Sequence, residues 1–239
     1  MNLSIVNSTS LRCYRWIDKS HIMQSEQKAK VAIIGLGNLG KVLASNLTVG
    51  NREVIIADMI FAKATDLSNQ LGRLAVPMDV ADAIEQADIL VLAIHFLSIK
   101  EFLLEHAASL DGKTIIDPSN PIAPDEKGGF VKIIGENESS GQILSTMLPL
   151  GTKLAKALGT LGVASLSSTA HQRPAFVQFF ATNDESLHAD IEDLIRDNGF
   201  EPVLIGGLDQ SIRMEVFGDL NEFGAIGKAV NVEEAKAKL

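Results

Sequence analysis

The chain has 239 residues, 46% of them hydrophobic, 21% charged and 5% aromatic, with 19 Gly, 7 Pro and one Cys. That balance belongs to a globular protein of one sizeable domain or two small ones. A net charge of −9 provides no basic field for nucleic acid, and the lone thiol, Cys13, excludes an intrachain disulfide framework and a cysteine-cluster metal site.

Residues 1–28 are polar, with Asn7-Ser8-Thr9-Ser10 followed by Arg12, Arg15 and Lys19 against Asp18. The segment lacks the apolar core of a secretory signal. It reads as a disordered N-terminal extension, or as sequence upstream of a start at Met23, with a targeting segment as the alternative. From Val31 the chain alternates short apolar runs with amphipathic stretches. Val31–Ile34 reads as a buried strand, and Asn38–Val49 as a helix stopped by Gly50. A strand at Glu53–Ala57 and a helix at Phe61–Leu71 follow, then a strand at Leu74–Val76 and a helix at Val80–Gln86 opened by Asp79. Next come a strand at Asp88–Ile94, a helix at Ser98–Ala108 and a strand at Thr114–Ile116. The longest strongly apolar stretch, Ile89–Ile99, is interrupted by His95 and Ser98 and is too short to cross a bilayer. The expected protein is therefore cytoplasmic, bound to neither membrane nor nucleic acid.

Strands separated by helices of this length call for parallel βαβ units, right-handed crossovers and a doubly wound α/β sheet in three αβα layers. Ligands then sit beyond the carboxyl ends of the strands. The second half is less regular. Asp117–Gly141 carries three Pro and four Gly and reads as a long irregular loop. A helix at Gln142–Leu148, a strand near Leu154–Leu158, a strand at Phe176–Ala181, a helix from Asp184 to Asn198 and a last strand at Val203–Ile205 complete the pattern. The 34 residues after Ile205 allow one or two helices. No linker interrupts residues 29–239, so a single dinucleotide-binding domain with C-terminal helices is expected.

The chemistry centres on Gly35-Leu36-Gly37-Asn38-Leu39-Gly40, between the first strand and the first helix. Gly35 can make the tight turn, Gly37 can admit a pyrophosphate to the backbone, and Gly40 can let helix and strand pack closely. The helix amino end offers free N–H groups and a positive dipole to a diphosphate. Asp58, eighteen residues past Gly40, ends the second strand, where a carboxylate accepts ribose hydroxyls and repels a 2′-phosphate. Lys63 is the one cation nearby that can meet such a phosphate. These residues favour NAD over NADP.

Ala93-Ile94-His95 ends the fourth strand, where a nicotinamide ribose passes. His95 is expected to touch the cofactor without transferring a proton, since no carboxylate accompanies it. Asp117-Pro118-Ser119-Asn120-Pro121 ends the fifth strand and either offers polar atoms to a carboxamide or simply redirects the chain. His171-Gln172-Arg173 is a polar loop open to an anionic substrate, and Gly206-Gly207 reads as a second glycine turn at the carboxyl edge. No nucleophile elbow, metal-binding helix or phosphate-loop lysine is present, so no catalytic acid–base residue and no metal ligand is assigned.

Taken in order, several elements resemble the NADP-dependent coenzyme F420 oxidoreductases. These are the turn at 37–40, Asp117-x-x-Asn120-Pro121, Ser139-Ser140 opening a helix to Leu148-Pro149, Lys156-Ala157 before Thr160, Leu194-Ile195, Gly199-Phe200-Glu201-Pro202 and Gly206-Gly207-Leu208. The resemblance runs from about Val31 to about Glu222. It implies a Rossmann sheet of about eight strands and direct hydride exchange between NAD(P)(H) and a second ring cofactor, F420 or a flavin, as small-molecule redox substrate. It also implies a cradle of Gly35, Gly37, Asn38 and Leu39 for the pyrophosphate, His95 beside the nicotinamide, and Asn120 with Pro121 as a pocket wall. Where the family pattern has Ser-Arg and a later Lys, this chain has Asp58, Met59 and Lys63; for Lys-Ala-Phe-Asn-Thr it has Lys156-Ala157-Leu158-Gly159-Thr160. The family favours NADP where Asp58 favours NAD. The alternatives are a non-catalytic NAD(P)-binding, redox-responsive regulator, and an imine or hydroxyacid reductase. The short segment after Ile205 argues against the latter's helical dimer domain. A homodimer is compatible with either of the first two readings.

Overall fold

The computed structural model describes residues 28–238; the N-terminal extension expected over 1–28 therefore lies, save Lys28, outside the described residues. Ten strands and eight α-helices alternate along this stretch. They are β1 Val31–Ile34, α1 Asn38–Val49, β2 Val54–Ala57, α2 Phe61–Leu71, β3 Ala75–Pro77, α3 Val80–Gln86, β4 Ile89–Leu92, α4 Phe96–Glu105 and β5 Thr114–Asp117. The second half holds β6 Ile122–Pro124, β7 Phe130–Lys132, α5 Ser140–Ser145, β8 Lys153–Ala157, α6 Val163–Thr169, β9 Val177–Thr182, α7 His188–Asp197, β10 Glu201–Leu204 and α8 Val232–Lys236.

Eight strands form one sheet in the order β10-β9-β8-β5-β4-β1-β2-β3. All neighbours pair in parallel except β8 and β9. Every residue of β1, β2 and β4 is buried, because helices cover both faces. On one face Leu43 and Leu47 of α1, Leu67 of α2, Leu166 of α6 and Leu194 of α7 pack on Val31, Ile33 and Ile56. On the other, Ile84 of α3, Ile99 and Leu103 of α4 and Leu144 of α5 pack on Ala32, Leu90 and Ile115. This is the doubly wound Rossmann-type architecture, with its strand order reversing between β1 and β4. That reversal opens a crevice at the carboxyl ends of those two strands.

The reversed direction of β9 has a local cause. α6 is seven residues long and spans only about 10 Å, too little to carry the chain back across the sheet before the next strand. β9 therefore starts at the carboxyl edge of the parallel strands and runs against them, and β10 follows it in parallel. The turn Gly206-Gly207 after β10 consequently lies at the amino edge, opposite the edge expected for it.

Other elements also depart from expectation. β4 stops at Leu92, and α4 begins at buried Phe96 rather than Ser98, so Ala93–His95 is a connection and not strand. The expected loop after Asp117 contains the hairpin β6–β7, turned by Gly128 and Gly129 at φ of 86° and 91°. α5 starts at Ser140, capped by the Ser139 hydroxyl accepting from Gln142 N–H, and α6 was not anticipated. After Ile205 the chain forms a 3₁₀ segment at Leu208–Arg213 and irregular structure, with only α8 as regular helix.

Candidate functional site

The glycine corner has the geometry a dinucleotide requires. Gly35 has φ of 96°, and a Cβ there would lie 2.7 Å from the Ala93 carbonyl oxygen. A Cβ on Gly40 would overlap the Gly35 carbonyl oxygen, so α1 rests directly on the turn. Gly37 is different: nothing lies within 4 Å of its Cβ position, and its φ of −72° suits any residue. Its lack of a side chain thus serves the space above the backbone rather than the fold. No side chain caps α1 at Gly37 and its first turn carries no acid, which leaves the amino end of a 12-residue helix open to an anion. Gly37 and Asn38 are exposed and Leu39 partly so, whereas the Leu36 side chain is buried in the core.

Asp58 is locked to this corner. One carboxylate oxygen accepts the Leu36 N–H at 2.9 Å, and the other accepts the Ile60 N–H at 3.0 Å. Lys63 Nζ stands 3.2 Å from it. Desolvation, the largest single influence on this carboxyl, raises its pKa; the two backbone donors and Lys63 together outweigh it and bring the pKa below the ordinary 3.8. Asp58 is therefore ionised at neutral pH and fixed beside the glycine corner. The Leu36 N–H is engaged by Asp58, which leaves the first turn of α1 to provide the phosphate donors.

Ala93 and Ile94 pack on the glycines: the Ala93 Cβ lies 3.4 Å from the Gly40 Cβ position. His95 is exposed at the amino end of α4, with its ring in no hydrogen bond among the described residues. Asn120 is placed differently from expectation. Its Nδ2 donates to the Gly159 carbonyl at 3.2 Å and its Oδ1 accepts from Val216 N–H at 2.7 Å, so the amide joins three loops. Pro121 beside it is buried. His171 is not free for an anion either: its ring Nε2 pairs with the Asn46 carbonyl of α1 at 2.9 Å.

Beneath Asn120 lies a cluster that sequence reasoning did not assign. Lys156, 1% exposed, reaches Asp117 at 2.9 Å, Ser140 Oγ at 2.8 Å, the Ser119 carbonyl, and Glu215 at 4.0 Å. Ser140 donates through its N–H to Glu215 at 2.7 Å, and its Oγ lies 2.8 Å from the carboxylates of both Asp117 and Glu215. The sequence signal was available: a lysine inside Leu154-Ala155-Lys156-Ala157-Leu158 must find a buried partner. Glu215 arrives from 75 residues away, and no local pattern announces it.

Burial pushes the Glu215 carboxyl above its ordinary 4.5, against the attraction of Lys156 and the Ser140 bonds. A carboxyl whose folded pKa exceeds its unfolded one stabilises the fold fully below the unfolded value, and that contribution fades as pH climbs through the folded value. Glu215→Gln removes this titration. The melting temperature of the variant relative to wild type should therefore rise with pH above about 4.5, as read by thermal unfolding across a pH series. A constant difference would show that Glu215 keeps its unfolded pKa.

The described residues contain no cluster of three or more potential metal ligands and no helix long and apolar enough to cross a membrane. Residues 30–121 match the profile of the family described as NADP oxidoreductase, coenzyme F420-dependent. None of the curated proteins matches the chain. Among solved structures, a hypothetical protein of Sinorhizobium meliloti is 26% identical, covering 85% of this chain and 95% of its own, at a TM-score of 0.72. A protein of Arthrobacter sp. FB24 described as a candidate F420-dependent NADP reductase is 20% identical over 76% of this chain and 86% of its own, at 0.64. An imine reductase of Aspergillus terreus, in complex with NADPH4 and dibenz[c,e]azepine, shares the fold at 18% identity and a TM-score of 0.55, and only 56% of it is covered. Over residues 30–121, which carry the glycine corner, Asp58 and the Asp117–Pro121 turn, the chain thus matches the coenzyme F420-dependent NADP oxidoreductase family.

Proposed function

We propose that this chain is an NAD(P)-dependent oxidoreductase that passes a hydride between a nicotinamide and a second, planar-ring substrate of the deazaflavin or flavin type. The observation that carries the reading is the empty space over Gly37 at an uncapped helix end, with an ionised carboxylate fixed beside it. The N–H groups of Asn38 and Leu39 would hold the pyrophosphate, and Asp58 the adenosine ribose. The apolar Met59-Ile60-Phe61 surface, all exposed, would lie along the adenine. His95 and the Asn120–Pro121 turn would flank the nicotinamide. When bound, the nicotinamide gives or takes the hydride, the partner ring changes by two electrons, and the accompanying proton is exchanged with solvent. The protein's task is then to hold two flat rings in register and exclude water. This task needs no acid–base side chain.

Nucleotide choice turns on Asp58 and Lys63. A 2′-phosphate would meet the Asp58 charge, and Lys63 would have to leave its 3.2 Å pairing to offset that. NADH should bind more tightly than NADPH in a fluorescence titration. Asp58→Asn, which keeps an acceptor for the Leu36 N–H but removes the charge, should shift the preference toward NADPH by about tenfold, ~1.4 kcal/mol. An unchanged ratio would refute the role given to Asp58.

A regulator that binds nucleotide without turnover is the second reading. What favours it is that two hollows lie away from the glycine corner, one lined by Ala81, Glu85 and Lys113, the other by Lys30, Arg52 and Gln86. Turnover of NADH or NADPH with F420, FMN or riboflavin separates the two.

A further inference from the structure

Two exposed phenylalanines stand beside the loops that end β5 and β8. Phe217 is 55% exposed and Phe223 60%. Both lie on the segment that returns along the sheet to the carboxyl edge, and both are anchored to the loops that end β5 and β8. Val216, immediately before Phe217, gives its N–H to Asn120 Oδ1 at 2.7 Å. Glu222, immediately before Phe223, gives its N–H to the Thr160 carbonyl at 3.0 Å, and its carboxylate accepts from Gly162 N–H at 2.6 Å. The Phe223 ring lies against Gly162, whose Cβ position is 2.7 Å from the ring Cζ. The Phe217 carbonyl carbon is 3.0 Å from the Cβ position of Gly224, so the two phenylalanines occupy adjoining backbone.

Phe217 has φ of 77°. For a bulky L-residue this region is strained and persists only where neighbours impose it. They do so here: Gly218 N–H binds the Glu215 carbonyl at 2.7 Å, Leu220 N–H binds the Arg213 carbonyl at 2.8 Å, and the Glu215 side chain is buried in the Lys156 cluster. Glycine would relieve the strain, and a polar residue would suit the exposure. Phenylalanine gains nothing from either. Meanwhile Leu158 and Gly159, which end β8 at the same place, are both buried and present no ring to the crevice.

We propose that Phe217, with Phe223 beside it, is the stacking wall for the second substrate, a flat isoalloxazine-type ring, and so determines acceptor specificity. The inference rests on the hydride-exchange reading, and the Lys156–Glu215 cluster holds the wall in place. Steady-state kinetics with FMN, riboflavin and F420 as acceptors should show Phe217→Ala raising the acceptor KM by about 3- to 10-fold, the range expected for one aromatic contact. Phe217→Trp should restore it to within about twofold. Phe217→Gly should raise KM as alanine does while the melting temperature holds or increases, because the strain is gone. The Kd for NADH should be unchanged in all three variants. An unmoved KM in Phe217→Ala overturns the proposal, as does a KM change matched by lost nucleotide affinity. So does dissociation of a dimer in sedimentation with acceptor KM intact, which would make this patch a subunit interface. If wild type turns over none of the acceptors, quenching of FMN, riboflavin and F420 fluorescence by the NADH-saturated protein decides. Quenching lost in Phe217→Ala supports the wall although hydride transfer fails, and no quenching by wild type overturns it.

Discussion

Lys156→Met should destabilise the fold by about 3–5 kcal/mol, the cost of leaving a buried charge uncompensated. At this chain length that corresponds to a fall in melting temperature of roughly 6–20 °C by calorimetry. The methionine fills most of the lysine's volume, so the loss is electrostatic rather than a cavity effect. Asp117 is wholly buried and would lose its only cation among the described residues, while Glu215, already raised by burial, would lose the attraction that opposes the rise. The exposed pair Arg196–Glu192 on α7, at a similar 2.9 Å, is the control. Its removal should cost about 0.3–0.5 kcal/mol, since solvent screens it. A Lys156→Met variant melting within about 2 °C of wild type would mean that the Lys156 ammonium does not hold this cluster together.

Gly37→Val is expected to separate binding from folding. The site is open to 4 Å and its backbone is extended, so the melting temperature should stay within about 1–2 °C of wild type. The new side chain would occupy the approach of a diphosphate to the α1 amino end. NADH and NADPH affinity should both fall by about 100-fold or more, ~2.7 kcal/mol, in a fluorescence titration. Gly40→Ala makes the opposite case. Its Cβ would collide with the Gly35 backbone, so stability should fail along with binding. Full nucleotide affinity in Gly37→Val would remove the glycine corner from the binding site.

The first half of the chain was readable because each local signal agreed with the final fold. Val31–Ile34, Asn38–Val49, Phe61–Leu71 and Val80–Gln86 stand where periodicity, β-branching and caps put them. Asp58 followed from its distance to the glycines. The second half depends on partners far apart in sequence. Asn120 reads equally as a substrate contact or as part of a turn, because nothing near it discloses that its amide bonds to Gly159 and Val216. His171 looked like an anion binder until α1 was placed against it. The β6–β7 hairpin was masked by Pro121 and Pro124, which read as loop, although the Gly128-Gly129 pair between apolar runs is a hairpin signal. The direction of β9 was invisible because alternation of strand and helix does not report how short α6 is. The misplaced Gly206-Gly207 turn followed from that.

The late place of Glu215 in the sequence also orders events in time. Residues 30–121 hold the cradle proposed for the nucleotide, whereas Glu215 and Phe217 emerge from the ribosome almost a hundred residues later. Until they do, the Lys156 ammonium lacks Glu215 and the Asn120 amide lacks its Val216 donor. Nascent chains stalled near residue 200 should therefore be far more sensitive to protease around Asp117–Gly162 than the released protein.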